Sequence, residues 1–466
     1  MEKKNLAIIG GGPGGYLAAL RAAQLGLSVV LFEKEKVGGI CINVGCIPTK
    51  YLLHQTAIFH QLRSNKNLEG PVGELRPNWQ KIQEGRQGVV NRLAKGLEFL
   101  LSKNNVQVIK GKAKLTSPGE VTAWTSEGEI KFQADTIILA TGSRPADFPF
   151  LRFNGREVIS STEALSLPEI PKRLLVVGAG AIGLELGSVY GRLGTEVTIL
   201  EIMPSILPGT DLASAQRLER ILKRQGLKIY LQMKIESAEI SAGQVTLKGL
   251  SLLDNKPFEF TADKVLIAAG RKPNIEDLVW DENLLRRQKG NYLEVDNHGE
   301  TSIPGVYAIG DLTGGKLLAH KAYYDGRVAA ERAAGLNSQL DYRALPSAIF
   351  TEPELASVGL SQTEAEAQGL AIKTGEFPMQ ANGRALTLDS PDGLVRIIAS
   401  QADDEILGAH LLAPHASEML PILTMAVSRR LKIRDLDSII YIHPTLSEAI
   451  PEAALKTNKE ALHILN

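Results

Sequence analysis

Two cysteines are the residues of this sequence whose type and spacing most directly suggest chemistry. Cys41 and Cys46 lie in the segment GGICINVGCIPTK (residues 38–50), and the rest of the 466 residues contains no cysteine. In a reducing compartment, two neighbouring cysteines are more often catalytic or metal-binding than structural. Because no histidines stand at ligand spacing around them, zinc binding is disfavoured and no metal site is expected.

The residues around the pair favour a redox-active dithiol over two ordinary buried thiols. The segment after Cys46 predicts a helix, and a helix N-terminus stabilises a thiolate through its backbone N–H groups. Lys50, four residues on, adds positive charge. In such a pair, one sulfur exchanges with the substrate while the other faces an electron acceptor.

Dithiol exchange also needs a group that moves a proton, because the thiolate is the reactive form. His443, in YIHPTLSEAI, is the best candidate of eight histidines. If a helix begins at Pro444, Glu448 reaches back to orient the imidazole. From the residues alone, a histidine packed at a domain edge is slightly favoured over this interpretation. His320 is expected to pack near a cofactor. For the other histidines, the sequence predicts no catalytic partner at useful spacing: His54, His60, His298, His410, His415 and His463.

The elements that must position the dithiol begin with a repeated motif. Residues 6–35 and 174–203 each read as an apolar strand, a G-x-G-x-x-G turn, an Ala/Leu-rich helix and a second strand ending in glutamate. Such glycines permit a tight turn, the approach of a pyrophosphate and close helix packing, while the glutamate binds a ribose. The residues are Gly10, Gly12, Gly15 and Glu33 in the first copy, and Gly178, Gly180, Gly183 and Glu201 in the second. The repetition predicts two dinucleotide-binding units.

The second unit is expected to bind NAD rather than NADP. The 15 residues after Glu201, IMPSILPGTDLASAQ, contain no arginine or lysine to hold a 2′-phosphate. The carboxylate of Glu201 would also repel such a phosphate.

A second repetition indicates where the chain returns to each unit. ADTIILATGSRP (134–145) parallels ADKVLIAAGRKP (262–273), and residues 106–133 alternate like an antiparallel insert before the first return. Further on, Asp311 in IPGVYAIGDLTGG is equally well explained as a turn residue or as a cofactor ligand. From Pro346, strand and helix patterns without a nucleotide motif predict a separate α+β domain.

Composition limits the function classes. Lysine plus arginine equals aspartate plus glutamate at 52 each, so no bias toward nucleic acid or an anionic membrane exists. No stretch reaches the ~18 uninterrupted apolar residues of a membrane span. The N-terminus enters a strand-like run at once, so no signal peptide is expected and a cytoplasmic protein is the default.

With these motifs the chain resembles the pyridine nucleotide–disulfide oxidoreductases over essentially its whole length, and within them the dihydrolipoamide dehydrogenase branch. The motifs are GGGPGGYLAALRAAQLG, GGICINVGCIPTK, ATGSRP, GAGAIGLELG, AIGDLTGG with LLAHKA, FTEPELASVG and HPTLSEA. The resemblance implies an α/β fold with two Rossmann-like domains, for FAD and NAD, and a C-terminal α+β dimerisation domain. The implied boundaries are 1–147 for FAD, 148–275 for NAD, 276–345 for a central domain completing the FAD site, and 346–466 for the interface domain.

The resemblance also implies roles for individual residues. Cys41 would be the interchange sulfur and Cys46 the flavin-proximal sulfur, with His443 and Glu448 as the acid/base pair acting in the partner subunit of a homodimer. Lys50, paired with Glu185, would lie near the flavin, Glu33 would bind the FAD ribose and Asp311 its ribityl chain. The remaining implied FAD-lining residues are Ala113, Thr141, Gly142, Ser143, Leu317, Leu318, Ala319 and His320. NAD would be lined by the segment from Gly178 to Glu185, together with Glu201, Ile235 and Gly270.

The implied activity is oxidation of protein-bound dihydrolipoamide by NAD⁺ through the Cys41–Cys46 disulfide and FAD. The partner would be a lipoyl protein, such as the E2 component of a 2-oxo-acid dehydrogenase complex or the glycine cleavage H protein. The alternatives are a glutathione-reductase-like enzyme that uses NADPH, and an FAD- and NADH-binding protein without turnover. Several residues depart from the family pattern near the expected site: Ile40, Thr49, Tyr323, Tyr324 and Tyr441.

Overall fold

The first repeat builds a parallel sheet in the computed structural model, which describes residues 2–65, 67–69 and 74–466. Its apolar runs are buried on both faces, as parallel strands require. The strand order is β3, β2, β1, β6, β19, where β1 is Glu2–Ile9, β2 Val29–Glu33, β3 Gln107–Lys110, β6 Gly128–Leu139 and β19 Val306–Ala308. Helix α1 (Pro13–Gln24) starts directly after the glycine turn, with proline at its first position.

An antiparallel meander continues from the start of β6 through β5 (Glu120–Thr125) to β4 (Lys112–Ser117). The sequence predicted one antiparallel insert over residues 106–133, and this is wrong for β3, which pairs parallel with β2. Gly111 lies between β3 and β4. A side chain does not fit at this position, because a Cβ there would lie 2.4 Å from the carbonyl oxygen of Trp124.

Between β2 and β3, the cysteine segment lies on α2 (Gly39–Val44) and the start of α3 (Cys46–Ser64), and α4 (Trp79–Lys103) follows. The predicted helix after Cys46 is thus confirmed, and Cys46 is its first residue. Gly38 precedes α2 with a φ of +91°, a left-handed conformation that favours glycine.

The second repeat forms another parallel sheet, in the order β11, β10, β9, β15, β8. Its elements are β8 (Val158–Ile159), α5 (Ser161–Ala164), β9 (Arg173–Val177), α6 (Ala181–Arg192), β10 (Glu196–Leu200), α7 (Leu212–Arg224), β11 (Lys228–Tyr230) and β15 (Lys264–Ile267). An antiparallel sheet of β12 (Met233–Ser241), β13 (Gln244–Ser251) and β14 (Pro257–Ala262) precedes the return strand β15. This matches the arrangement of the first unit.

The two return motifs meet each other. β7 (Ser143–Pro145) follows the first return and β16 (Arg271–Pro273) follows the second, and they pair antiparallel with Ser143 opposite Pro273. The internal repetition in sequence therefore marks a structural bridge between the two nucleotide units.

The chain then closes the first unit and forms the C-terminal sheet. A hairpin of β17 (Arg287–Gln288) and β18 (Tyr292–Leu293) leads to β19, a 3₁₀ turn at Gly310–Thr313 and helix α8 (Ala319–Ala333). The antiparallel C-terminal sheet has the order β20, β21, β24, β23, β22. These are β20 Ser347–Ile349, β21 Glu354–Gly359, β22 Ile372–Pro378, β23 Leu394–Ser400 and β24 Ile406–Ala413. Its helices are α9 (Gln362–Ala367), α10 (Gly383–Thr387), α11 (Ala416–Ser428), α12 (Ile433–Asp437) and α13 (Ala449–Lys456). The predicted α/β class with a C-terminal α+β unit is confirmed.

One hydrophobic cluster joins all three parts of the molecule. It contains Leu52 and Trp79 from the helices around the cysteines, Tyr190 from α6, and Ile349 and Leu412 from the C-terminal sheet. Burial of apolar surface in a shared cluster favours a fixed mutual arrangement of the three parts. Within the described ranges, no helix is long and apolar enough to cross a bilayer.

Candidate active site

Cys41 in α2 and Cys46 at the start of α3 are half-buried free thiols. A hydrogen bond donated by the Cys41 thiol lowers the pKa of Cys46 to about 7, against the effect of burial, and the charge of Lys50 lowers it further. The same hydrogen bond, together with burial, raises the pKa of Cys41 well above its ordinary value. Cys46 is therefore the sulfur that carries the negative charge in the reduced pair.

Lys50 and Glu185, which the resemblance paired, form an ion pair across the two nucleotide units. The Lys50 Nζ lies 3.1 Å and 2.8 Å from the two carboxylate oxygens of Glu185. Glu185 is only 4% exposed, and it also accepts a hydrogen bond from the backbone N–H of Phe350. The buried carboxylate is thus paired and hydrogen-bonded, as burial of a charge requires.

The two glycine turns have matching backbone geometry at their first and third glycines. Gly10 and Gly178 have φ angles of +107° and +105°, which favour glycine. A Cβ at Gly15 would lie 1.9 Å from the Gly10 carbonyl oxygen, and one at Gly183 would lie 2.1 Å from that of Gly178. Each third glycine thus lets a helix start against the turn.

The second glycines leave the space that a pyrophosphate needs. Apart from the glycine itself and its chain neighbours, no described atom lies within 4 Å of a Cβ built on Gly180. For a Cβ built on Gly12, the nearest such atom is the Cα of Gly39 at 4.0 Å. A side chain at either position would occupy the space in front of the helix N-terminus, where phosphates bind. The turns therefore fit two dinucleotides.

The acids that end β2 and β10 are held in the same way. Glu33 accepts hydrogen bonds from the N–H groups of Gly11 and Glu35, both at 2.8 Å. Glu201 accepts from Ala179 at 2.7 Å and Met203 at 2.8 Å. Each carboxylate thus lies against its own glycine turn, where a ribose of the bound dinucleotide would be recognised.

Asp311 and Ser143 contact each other at the bridge between the units. The Ser143 hydroxyl donates to Asp311, and the Nε of Arg271 donates to the Ser143 oxygen at 2.7 Å. Next to them, Thr141 donates to the carbonyl of Asn274 at 2.6 Å, and the amide of Asn274 donates back to the Thr141 carbonyl at 2.9 Å. Arg271 and Asn274 were missed by sequence reasoning, although their position after the second return motif was the available signal.

A buried network supports the turn that carries Asp311. Asp325 accepts from the Gly310 N–H at 3.0 Å, from Lys321 at 2.8 Å and from the Tyr342 hydroxyl at 2.7 Å. Lys321 also donates to the hydroxyl of Thr313 at 2.9 Å. The only signal for this network in the sequence is the lysine and acid at i, i+4 spacing in α8.

The other predicted cofactor positions are arranged less directly. The Ala113 side chain is buried in the core of the first unit, so only its backbone is available to a ligand. The imidazole Nε2 of His320 lies 2.7 Å from the carbonyl oxygen of Pro346. Ile235 is half-buried beside an irregularity in β12, and Gly270 is exposed with a φ of +124°. Gly142 lies directly before β7. Leu317 and Leu318 lie directly before α8, and Ala319 is its first residue.

His443 and Glu448 pair on the C-terminal unit. The His443 Nδ1 lies 2.8 Å from one Glu448 oxygen, and the other oxygen accepts from the Thr445 N–H at 2.7 Å. Burial favours a raised pKa of Glu448, but these two hydrogen bonds and the imidazole charge hold it below its ordinary value. The side chain of His443 is 81% exposed in the single chain.

Two details of this region differ from the sequence prediction. The helical turn begins at Leu446 rather than at Pro444, because Glu448 caps the N–H of Thr445. The expectation of no partner is wrong for His463, whose Nδ1 lies 2.7 Å from Glu452, and this hydrogen bond raises its pKa. The chain folds back after α13 to bring these residues together, which helix spacing does not reveal. Elsewhere in the chain, the expectation is also wrong for His298 and His410, which contact the backbone carbonyls of Ser338 and Leu360.

The departures from the family pattern have different surroundings. The Thr49 hydroxyl donates to the Gly45 carbonyl at 2.6 Å within α3. The hydroxyl of Tyr16 donates to that of Tyr323 at 2.7 Å. Burial raises the pKa of both tyrosines most, and the charge of the nearby cysteine thiolates raises it further. Tyr324 donates to the carbonyl of Gln339, and Tyr441 to that of Leu436. The Ile40 side chain is partly exposed, and nothing in the structure explains its choice.

Comparison with known proteins covers the whole chain. Residues 4–326 match the pyridine nucleotide-disulphide oxidoreductases, and residues 345–454 match the dimerisation domain of the same family. A dihydrolipoyl dehydrogenase of Thermus scotoductus is 42% identical over 472 residues, which is 100% of both chains. One of Staphylococcus aureus is 41% identical over 98% of this chain and 97% of its own.

Solved structures agree in fold. LpdA of Mycobacterium tuberculosis superposes with a TM-score of 0.88 at 28% identity, over 97% of this chain and 99% of its own. The HOCl-induced flavoprotein disulfide reductase RclA of Escherichia coli gives a TM-score of 0.86 at 28% identity, with the same coverage.

These matches confirm the resemblance predicted from the motifs, and the two glycine turns fit the cofactors that such enzymes use. The protein is a flavoprotein disulfide oxidoreductase with FAD and NAD as cofactors. The chain belongs to the pyridine nucleotide-disulphide oxidoreductase family.

Proposed function

We propose that the enzyme oxidises protein-bound dihydrolipoamide to lipoamide, with NAD⁺ as the final acceptor. The observation that carries this proposal is the Cys41–Cys46 pair, in which Cys46 has the lower pKa and lies beside Lys50. Full-length relatives named dihydrolipoyl dehydrogenase support the choice of substrate.

The dithiol chemistry follows from the difference between the two sulfurs. A substrate thiolate attacks Cys41 of the oxidised pair, the Cys41–Cys46 bond breaks, and Cys46 leaves as the thiolate that its surroundings stabilise. The second substrate thiolate then attacks the substrate sulfur bound to Cys41, which closes the lipoamide ring and releases Cys41. A sulfur with a low pKa is the better leaving group, which favours this direction of attack.

The protons of the two substrate thiols need an acceptor at this stage. His443, oriented by Glu448, takes the proton of the first, attacking thiol. The proton of the second thiol goes to Cys41 as that sulfur is released, so the reduced pair is left with a Cys41 thiol, a Cys46 thiolate and a protonated imidazole. Bound FAD supplies a two-electron acceptor for the reduced pair and a hydride donor for the nicotinamide.

The cofactor sites are assigned to the two glycine turns. The first turn, Glu33, Lys50 and the region of Asp311 and Ser143 would hold FAD. The second turn, Glu185 and Glu201 would hold NAD, and a carboxylate at position 201 disfavours the 2′-phosphate of NADP. With this assignment we propose domain boundaries at residues 147, 275 and 345. The bridge of β7 and β16 ends just before the first two, and the match to a dimerisation domain begins at residue 345.

His443 acts in the other subunit of a homodimer. The C-terminal residues match a dimerisation domain, and His443 is exposed in the single chain. Large apolar side chains exposed on the same unit support burial by a second copy: Met425, Ile440, Ile442, Leu462 and Leu465. The partner subunit's His443 then completes the dithiol site of this chain, and the natural substrate is a lipoyl domain of an E2 component or an H protein.

The test compares substrates on the purified flavoprotein. Dihydrolipoamide is expected to reduce NAD⁺ at least about tenfold faster than NADP⁺, and oxidised glutathione is expected to give no NADPH oxidation. Glutathione-dependent NADPH oxidation would favour the glutathione-reductase-like alternative. A yellow protein that turns over neither substrate pair would favour a binding protein without turnover.

A further inference from the structure

Phe350 lies at the point where the three parts of the molecule meet. Its backbone N–H donates to Glu185 at 3.0 Å, and the Lys50 Nζ lies 4.4 Å from the centroid of its ring. One residue of the C-terminal unit thus contacts both members of the ion pair that joins the two nucleotide units.

We propose that Phe350 is a positioning residue for the redox reaction, which holds Lys50 against Glu185 and thereby fixes a positive charge beside Cys46. The inference deepens the proposed function and rests on it only for its kinetic readout. The geometry itself is independent of the identity of the substrate.

The contacts of Lys50 explain why it needs such a support. Its side chain is 35% exposed, and a lysine carries a flexible stem with several rotatable bonds. Glu185 restrains the ammonium from one side, while the face of the Phe350 ring attracts it from another. Without the ring, the ammonium keeps one partner and gains access to water.

Phe350 is itself held by contacts on both sides in sequence. Ile349 is buried in the cluster shared by all three parts. Glu352 pairs with Arg192 of α6 at 3.1 Å, and its carbonyl accepts from Gln225 at 2.7 Å. Arg192 also donates to the carbonyl of Leu53 in α3 at 3.3 Å. The segment therefore has little freedom to move away from Lys50.

The position of Lys50 has a measurable consequence at the dithiol. The charged and titratable groups that act on Cys46, or on which it acts, are Cys41, Lys50, Glu185, Arg271, Tyr16 and Tyr323. Lys50 lowers the pKa of Cys46. Arg271 is the second cation near this sulfur: burial lowers the pKa of its guanidinium, and the thiolate charge opposes that shift. A displaced ammonium would leave the thiolate with less stabilisation, so that it forms at higher pH.

The experiment compares Phe350→Leu, which removes the ring, with Phe350→Tyr, which keeps it. The matched control is Phe377→Leu, which removes a buried ring from β22. This ring packs in a hydrophobic core of the C-terminal unit that is separate from the cluster shared by all three parts. Each holoenzyme is reduced anaerobically with dithiothreitol, and the pH midpoint of the long-wavelength thiolate-to-flavin absorption is measured. Dithiothreitol makes this readout independent of the lipoyl substrate.

We expect Phe350→Leu to raise the midpoint by about half a pH unit or more. Its kcat with dihydrolipoamide and NAD⁺ should fall severalfold at an unchanged KM for NAD⁺. Phe350→Tyr and Phe377→Leu should keep the parent midpoint. An unchanged midpoint in Phe350→Leu, or an equal rise in Phe377→Leu, would overturn the inference. If the parent does not oxidise dihydrolipoamide, the proposed function fails, whereas the dithiothreitol titration still tests Phe350.

Discussion

The two nucleotide units have nearly the same glycine turn but differ in the segment that packs against it. In both, a first glycine with positive φ, an open second glycine and a packed third glycine precede a helix, and an acid closes the second strand. Only the first unit inserts a cysteine segment across its turn, where a Cβ at Gly39 would lie 2.7 Å from the Cα of Gly12. The proposed function thus assigns nucleotide binding to the repeated element, and dithiol chemistry to the cysteine segment inserted after its first copy.

The largest expected effect comes from removing either sulfur. Cys41→Ser and Cys46→Ser should each lower kcat for NAD⁺ reduction by dihydrolipoamide on the order of 10³-fold or more, because each breaks the dithiol. The variants should differ in their spectra. Cys41→Ser keeps the flavin-facing thiolate and its long-wavelength absorption, whereas Cys46→Ser loses it. The reverse pattern would contradict the assignment of the two sulfurs.

A smaller effect should separate the two glycine turns. In Gly15→Ala and Gly183→Ala, the new Cβ meets a carbonyl oxygen of the same turn at 1.9 Å and 2.1 Å. Overpacking of this kind costs about 1–3 kcal/mol. Gly15→Ala should purify with less flavin, while Gly183→Ala should stay yellow and show a KM for NAD⁺ raised about tenfold or more. Loss of flavin from Gly183→Ala would show that the turns are assigned to the wrong cofactors.

Substitution of the acids Glu33 and Glu201 should also affect flavin retention and the KM for NAD⁺ separately, with smaller changes than the glycine variants. Glu201→Ala should raise the KM for NAD⁺ about tenfold, which is the scale of one charged hydrogen bond to a ribose. Glu33→Ala should leave that KM unchanged and weaken retention of flavin. Steady-state kinetics and flavin content measured on the same preparations check both outcomes, and a KM effect in Glu33→Ala would count against separate sites.

The smallest expected effect is the loss of the Cys46 thiolate of the first unit as the pH is lowered. Because the folded-state pKa of Cys46 is lowered to about 7, the thiolate of the reduced enzyme should be half formed near that pH and be lost on further acidification. The corresponding contribution to stability is complete only above the ordinary thiol pKa and declines as the pH falls through about 7. Absorbance of the thiolate against pH measures this, and a midpoint near the ordinary thiol value would contradict the structure.

Much of the fold and the site was accessible from sequence because the signals are local. The turn, helix and acid of each nucleotide unit lie within about thirty residues, and so do both cysteines and Lys50. The parallel pairing of β3 was not accessible, because its strand pattern is the same as that of the meander beside it. Two contacts were also missed, since Phe350 reaches Glu185 across 165 residues and His463 meets Glu452 only after the chain folds back.

The central claim is that the dithiol and the flavin form one redox centre on the first unit. An anaerobic reductive titration of the holoenzyme counts the electrons directly. The parent should take up about two electron pairs per chain, one for the disulfide and one for the flavin, and Cys46→Ser should take up about one. Uptake of a single pair by both proteins would contradict the account.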